Sequence, residues 1–277
     1  MTASTTPAPT RGALRRGGGV GALYSGNPQS VIARGFMATK STNYIVVLTG
    51  FFEPIFYLLS LGLGLGSYIG SVDVGGHPIP YAAFIAPGLL AVSAMNGAIY
   101  DSTWNVFFKM HFGKLYQGML ATTLGPLDVA LGEIVYALIR GGVYAITFMI
   151  VMQALGLNLA WTAMLALPAV LLIAFGFASL GMGITSYMKT FQHMDWINFA
   201  LLPMFLLSAT FYPLSVYPVP VQWVIQALPL WQAVDLVRGL TTGVLSWGLL
   251  IHVLYFAVMI TLGLVFTTRR LRSLFLD

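Results

Sequence analysis

Residues 203–240, PMFLLSATFYPLSVYPVPVQWVIQALPLWQAVDLVRGL, are apolar enough to lie in or against a membrane, yet Pro213, Pro218, Pro220 and Pro229 cut them. Each internal proline removes a backbone donor and clashes with the turn before it, so this stretch does not form one spanning helix. Irregular backbone survives at bilayer depth only where protein or a water-filled cavity covers it. The stretch therefore reads as a helix end, a turn, and short helices that enter the bilayer without crossing it.

Only 8% of the 277 residues are charged and 58% are hydrophobic, against about 25% charged in soluble domains. The chain is a polytopic membrane protein, long enough for one domain of six crossings at roughly 20 residues each. Residues 1–26 carry no long apolar run and read as a disordered, basic, cytoplasmic tail rather than a secretory signal. Asn27-Pro28 is a helix start. It opens an amphipathic segment, 28–42, that reads as a surface helix or as the frayed start of the first span. Spans are expected at about 44–66, 81–107, 127–155, 161–187, 196–212 and 245–268, with the proline-rich stretch between the fifth and sixth and a short end at 273–277. Glycines 62, 64 and 66 suit close helix contact.

The basic residues test this count. Arg11, Arg15, Arg16, Arg34, Lys40, Lys109, Lys114, Lys189, Arg269, Arg270 and Arg272 all fall on one side of a six-span chain. Arg238 alone lies opposite, and Arg140 is inside a span. The positive-inside rule makes the crowded side cytoplasmic, with both termini there and the proline-rich stretch at the outer face.

No catalytic constellation is present. His77, His111, His193 and His252 are scattered without metal-ligand spacing, no P-loop occurs, and cysteine is absent. Membrane-embedded charges are costly and therefore informative. Glu53 lies in the first span and Arg140 at the middle of the third, at depths that allow them to meet. Glu133 is two turns before Arg140 on the same face, and Asp101 is in the inner half of the second span. A polar lock in a transport path and a structural ion pair both remain open for Glu53 and Arg140. In the outer stretch Trp223 and Trp231 fit an interfacial belt, and Asp235 and Arg238 are spaced to pair. The inner segment 109–124, with Phe112 and Tyr116, reads either as a helix that docks a cytoplasmic partner or as a membrane-surface loop.

The segment SATFYPLSVYPVPVQWVIQALPLWQAVDLVRGL resembles the signature of type-2 ATP-binding-cassette exporter permeases, through Ser208, Phe211, Pro213, Leu214, Pro220, Trp223, Pro229, Leu230, Asp235 and Arg238. The segments EPIFYLLSLGLGLGSYI (53–69), YAAFIAPGLLAVSAMNGAIYDSTW (81–104) and MLATTLGPLDVALGEI (119–134) resemble the branch of nodulation lipo-oligosaccharide and daunorubicin-type drug exporters. Tyr212 before Pro213 departs from the usual Phe-Pro, and Asp101 occupies an acidic position.

The resemblance covers about residues 28–272 and implies an all-α transmembrane domain (27–272) of six helices, with an interfacial helix and an outer re-entrant hairpin. It implies a homo- or heterodimer of permeases in the plasma membrane, surrounded by lipid and without nucleic acid, on separate P-loop ATPase subunits that hold ATP and Mg. This chain would then bind no cofactor and catalyse no hydrolysis. The 109–122 loop would be the coupling helix, with Lys109, His111, Lys114 and Tyr116 as candidate ATPase contacts. Glu53, Arg140, Glu133, Trp223 and Trp231 are the candidates for path or gate. Implied substrates are amphipathic: glycolipids, lipid-linked saccharides or hydrophobic drugs. An ion-gradient transporter or channel without an ATPase is the alternative, and a non-transporting scaffold is a third.

Overall fold

The computed structural model describes residues 24–39, 52, 55–74 and 76–275. Ten helices and one β-hairpin are named below. Helix α1 (Pro28–Thr39) precedes α2 (Ile55–Ile69), the hairpin β1 (Ser71–Val74) and β2 (His77–Pro80), and α3 (Tyr81–His111). Then come α4 (Leu115–Leu120), α5 (Pro126–Ala154), α6 (Trp161–Thr185) and α7 (His193–Leu207). The chain ends with α8 (Val219–Ala227), α9 (Pro229–Thr242) and α10 (Gly248–Phe275).

Among the described residues, α3, α5, α6 and α10 are long and apolar enough to cross a membrane. The expected first and fifth spans correspond to α2 and α7, apolar helices shorter than the roughly 20 residues a crossing needs. The N-terminal part of the expected first span, Glu53 included, lies outside the described residues. The hairpin replaces what the sequence reading took for a plain loop in an all-α chain. It pairs Ser71 with Pro80 through Val74 with His77. Val72, Val74 and Ile79 supply the apolar alternation, Gly76 takes a positive φ at the turn, and Asp73 accepts the Gly76 N–H at 2.8 Å.

α3 is the central element. From Tyr81 to Val92 nearly every side chain is buried, as expected of a helix that is hydrophobic all round. α6 lies beside it, and small residues set how near α10 approaches. A β-carbon on Gly263 would come within 2.5 Å of the Ser179 backbone, so glycine allows the two helices to touch. Of the three glycines expected to give close contact, a β-carbon on Gly62 would meet Ala82 of α3 at 3.3 Å and one on Gly66 would meet Tyr81 of α3 at 3.8 Å, whereas Gly64 has nothing within 4 Å.

The prolines break the outer stretch where the sequence reading placed the breaks. Pro213 leads into a short 3-10 turn, Pro220 sits in the first turn of α8, and Pro229 begins α9. There the missing N–H costs nothing, because those donors have no helical partner. α7 is sparsely covered: of its residues only Met194 is buried, and Leu201, Met204 and Phe205 pack against the core in part.

Candidate functional site

Between α2, α3 and α7 lies a cleft of about 310 Å³ lined by Tyr57, Leu89, Val92, Ser93, Asn96, Asn198, Leu201, Leu202 and Phe205. Its walls are aliphatic side chains and aromatic rings, and its polar groups are the hydroxyls of Tyr57 and Ser93 and the carboxamides of Asn96 and Asn198. None of these four side chains finds a hydrogen-bond partner among the described residues. Asn96 is fifteen positions from either end of α3 (Tyr81 and His111), about 22 Å at 1.5 Å per residue. A carboxamide left unbonded at such depth is unfavourable unless water or a ligand reaches it. The cleft can thus hold an apolar body and bind a polar group without a formal charge. Sequence reasoning missed Asn96 and Asn198. The available signal was an amide within each of two apolar helices.

One turn below Asn96, α3 widens over Asp101–Asn105 into π-type turns, a local defect common at functional sites. Asp101 accepts from Asn105 Nδ2 at 2.8 Å and forms an ion pair with Arg140 of α5. The pair is half-buried, and Arg140 Nε is buried without a partner. Arg140 thus meets Asp101. The expected pairing with Glu53 lies outside the described residues.

At the C-terminal end of α3, where α5 begins, two carboxylates tie down α1. Asp128, fully buried, accepts from Ser25 N (2.7 Å), Ser25 Oγ (2.9 Å), Asn27 N (3.0 Å) and Gly125 N (2.9 Å). It closes the first turn of α5 and holds the chain entering α1. Five residues on, Glu133 accepts from Lys109 Nζ of α3 at 2.5 Å and from Arg34 of α1 at 3.4 Å. The backbones come this close because a β-carbon on Gly132 would meet Val31 at 2.5 Å. Tyr116 of α4 is wholly buried nearby, its hydroxyl without a partner. Burial, then the Glu133 carboxylate, push that hydroxyl well above the usual tyrosine range, with Arg34 opposing.

The opposite end of α3 is held differently. Arg238 of α9 is buried, and Nε donates to Phe84 O at 3.2 Å. One terminal nitrogen reaches Ala209 O (3.0 Å) and Thr210 O (3.4 Å), and the guanidinium lies 4.0 Å over the Phe84 ring. The expected Asp235–Arg238 pair is therefore replaced. Carbonyls of α3 and of the turn after α7 satisfy the guanidinium, and Asp235 turns to His252 Nε2 of α10 at 3.0 Å. His252 Nδ1 meets Gln232 Oε1. The i,i+3 spacing missed this because the competing partners are distant in sequence.

The other predicted residues scatter. Glu133 sits with Arg34 and Lys109, two turns from Arg140 but in a separate cluster. Trp223 is exposed on α8, whereas Trp231 packs edge-on to His252 at 5.6 Å. Lys109 and Tyr116 face inward, and His111 stacks on Phe107 at 4.4 Å. Lys114, with a left-handed backbone (φ 47°), is exposed beside Phe112 and Gln117.

The profile of the ABC-2 type transporter family matches residues 28–242. Nodulation protein J of Rhizobium leguminosarum bv. viciae is 30% identical over 258 residues, which cover 92% of this chain and 98% of that protein. The protein of the same name from Sinorhizobium fredii (strain NBRC 101917 / NGR234) is 32% identical over 237 residues, 84% of this chain and 88% of that one. For Bradyrhizobium diazoefficiens the figures are 32% over 214 residues, 76% and 80%.

Proposed function

The chain belongs to the ABC-2 type transporter family, and from that premise we propose that it is the membrane-spanning subunit of an ATP-driven exporter that moves an amphipathic substrate outward across the plasma membrane. The cleft between α2, α3 and α7 carries this reading. It joins an apolar wall to unpaired amides at mid-depth, which suits a glycolipid, a lipid-linked saccharide or a hydrophobic drug with one polar end. The energy source is a separate P-loop ATPase with its own ATP and Mg, since this sequence has no nucleotide motif. The sparsely covered α7 borders the cleft, where a second permease subunit would complete its wall.

The positive-inside count puts both termini and the 109–122 segment in the cytoplasm. Its exposed rim of Phe112, Lys114 and Gln117 is the ATPase contact, while Lys109 and Tyr116 serve inside the fold. Helices α8 and α9 form the outer re-entrant lid. The test is uptake of a fluorescent acyl-saccharide, and separately of daunorubicin, into inside-out vesicles holding the permease and its ATPase. The N96L and N198L variants lower ATP-dependent uptake at least tenfold at unchanged expression. Full uptake by the double variant removes the cleft from the path.

A further inference from the structure

The inner cluster holds two cations on one carboxylate. Arg34 and Lys109 both rest on Glu133, which leaves one positive charge uncompensated. The other two acids of α3 and α5 are already engaged. Asp128 is saturated by four donors from Ser25, Asn27 and Gly125, and Asp101 is engaged by Arg140 and Asn105. Two donors in the cluster also lack a partner: Arg34 Nε, and the hydroxyl of Tyr116, whose side chain is wholly buried. Both cations still reach the surface, with about a third of the Arg34 and a quarter of the Lys109 side chain exposed. Excess positive charge with unused donors in a partly desolvated site calls for an anion from outside the chain.

The surroundings select which anion. Arg34 is on α1, whose Phe36 and Met37 are exposed, the apolar side of a helix that lies in the membrane interface. Anionic head groups are concentrated at that surface, and basic pockets between helices on the cytoplasmic side retain them. We propose that Arg34 and Lys109, with Tyr116 behind them, form a binding site for the phosphate of an anionic phospholipid of the inner leaflet, seated between α1 and the inner end of α3. The lipid supplies the counter-charge that Glu133 alone cannot, and so joins the interfacial helix to the segment leading into α4. Glu133 competes with the phosphate for the same two cations.

The test uses the purified full-length permease in phosphatidylcholine nanodiscs, titrated with phosphatidylglycerol and followed by native mass spectrometry and by the unfolding midpoint. Wild type prefers phosphatidylglycerol about fivefold, the equivalent of roughly 1 kcal/mol for one basic charge at the surface, and the preference falls with added NaCl. The R34Q and K109Q variants each lose it. E133Q, which removes the competing carboxylate, binds phosphatidylglycerol more tightly than wild type. A merely structural Glu133 would give the opposite sign, so this variant keeps the test decisive if the cation variants fold poorly. Equal binding of the two lipids by wild type, or weaker binding by E133Q, overturns the site. Millimolar inorganic phosphate that raises the unfolding midpoint as far as the lipid does would overturn the lipid as source. Preference unchanged in R34Q and K109Q would place the lipid at other residues and overturn the site.

Discussion

Arg34 and Arg238 are both arginines that join separate elements, yet they are held in opposite ways. Arg238, near the start of α3, donates to three backbone carbonyls on α3 and on the turn after α7. Backbone oxygens in packed elements do not rotate away, so this clamp is rigid and specific. Arg34, near the far end of α3, shares the side chain of Glu133 with Lys109. Side-chain ion pairs can exchange partners, and two cations on one acid do so readily. The Arg238 end is therefore built to stay assembled, and the Arg34 end, next to the proposed ATPase contact, is built to rearrange.

The largest expected effect comes from breaking the rigid end. R238M removes three bonds from a charged donor and leaves buried carbonyls unsatisfied. At about 1.5–3 kcal/mol for each such bond, it destabilises by at least ~3 kcal/mol, read as a lowered unfolding midpoint in detergent. A loss under ~1 kcal/mol would make the two ends equivalent. E133A strands two cations instead. It costs about 2 kcal/mol, discounted because Arg34 and Lys109 are partly solvated, and the same unfolding assay shows whether it stays below R238M. The Asp101–Arg140 pair is intermediate in depth and smaller in effect. D101N and R140Q each cost about 1 kcal/mol, and the double variant costs less than their sum because the two share one interaction. At the exposed rim, F112S with K114E leaves stability within about 0.5 kcal/mol, yet ATP-dependent transport falls at least tenfold. Loss of stability there would mean the rim is packed rather than presented.

The proline breaks, the long helices and the helix that starts at Pro28 were legible because proline chemistry and hydropathy act locally. Pro220 and Pro229 mark helix starts in any context. The pairings were not legible. Asp235 and Arg238 obey the helical spacing rule, but His252 and the Phe84, Ala209 and Thr210 carbonyls outcompete it from seventeen or more positions away. Arg140 had more than one acid in range by depth, and only packing brings Asp101 to it. Asp128 carries no pattern of its own in the sequence; its role requires Ser25 and Asn27, about a hundred residues upstream. The cleft was hidden for a related reason. A single asparagine in an apolar helix carries no pattern, and Asn96 and Asn198 become a site only when α3 and α7 face each other.

In the proposed function, ATP on a partner chain drives substrate through this cleft. Inside-out vesicles with the permease and its ATPase test it when uptake of the fluorescent acyl-saccharide is measured with ATP alone, and then with a proton gradient alone. Uptake with ATP is expected to survive collapse of the gradient and to vanish when the ATPase is omitted. Uptake driven by the gradient in the absence of ATP and of the ATPase would overturn the proposal.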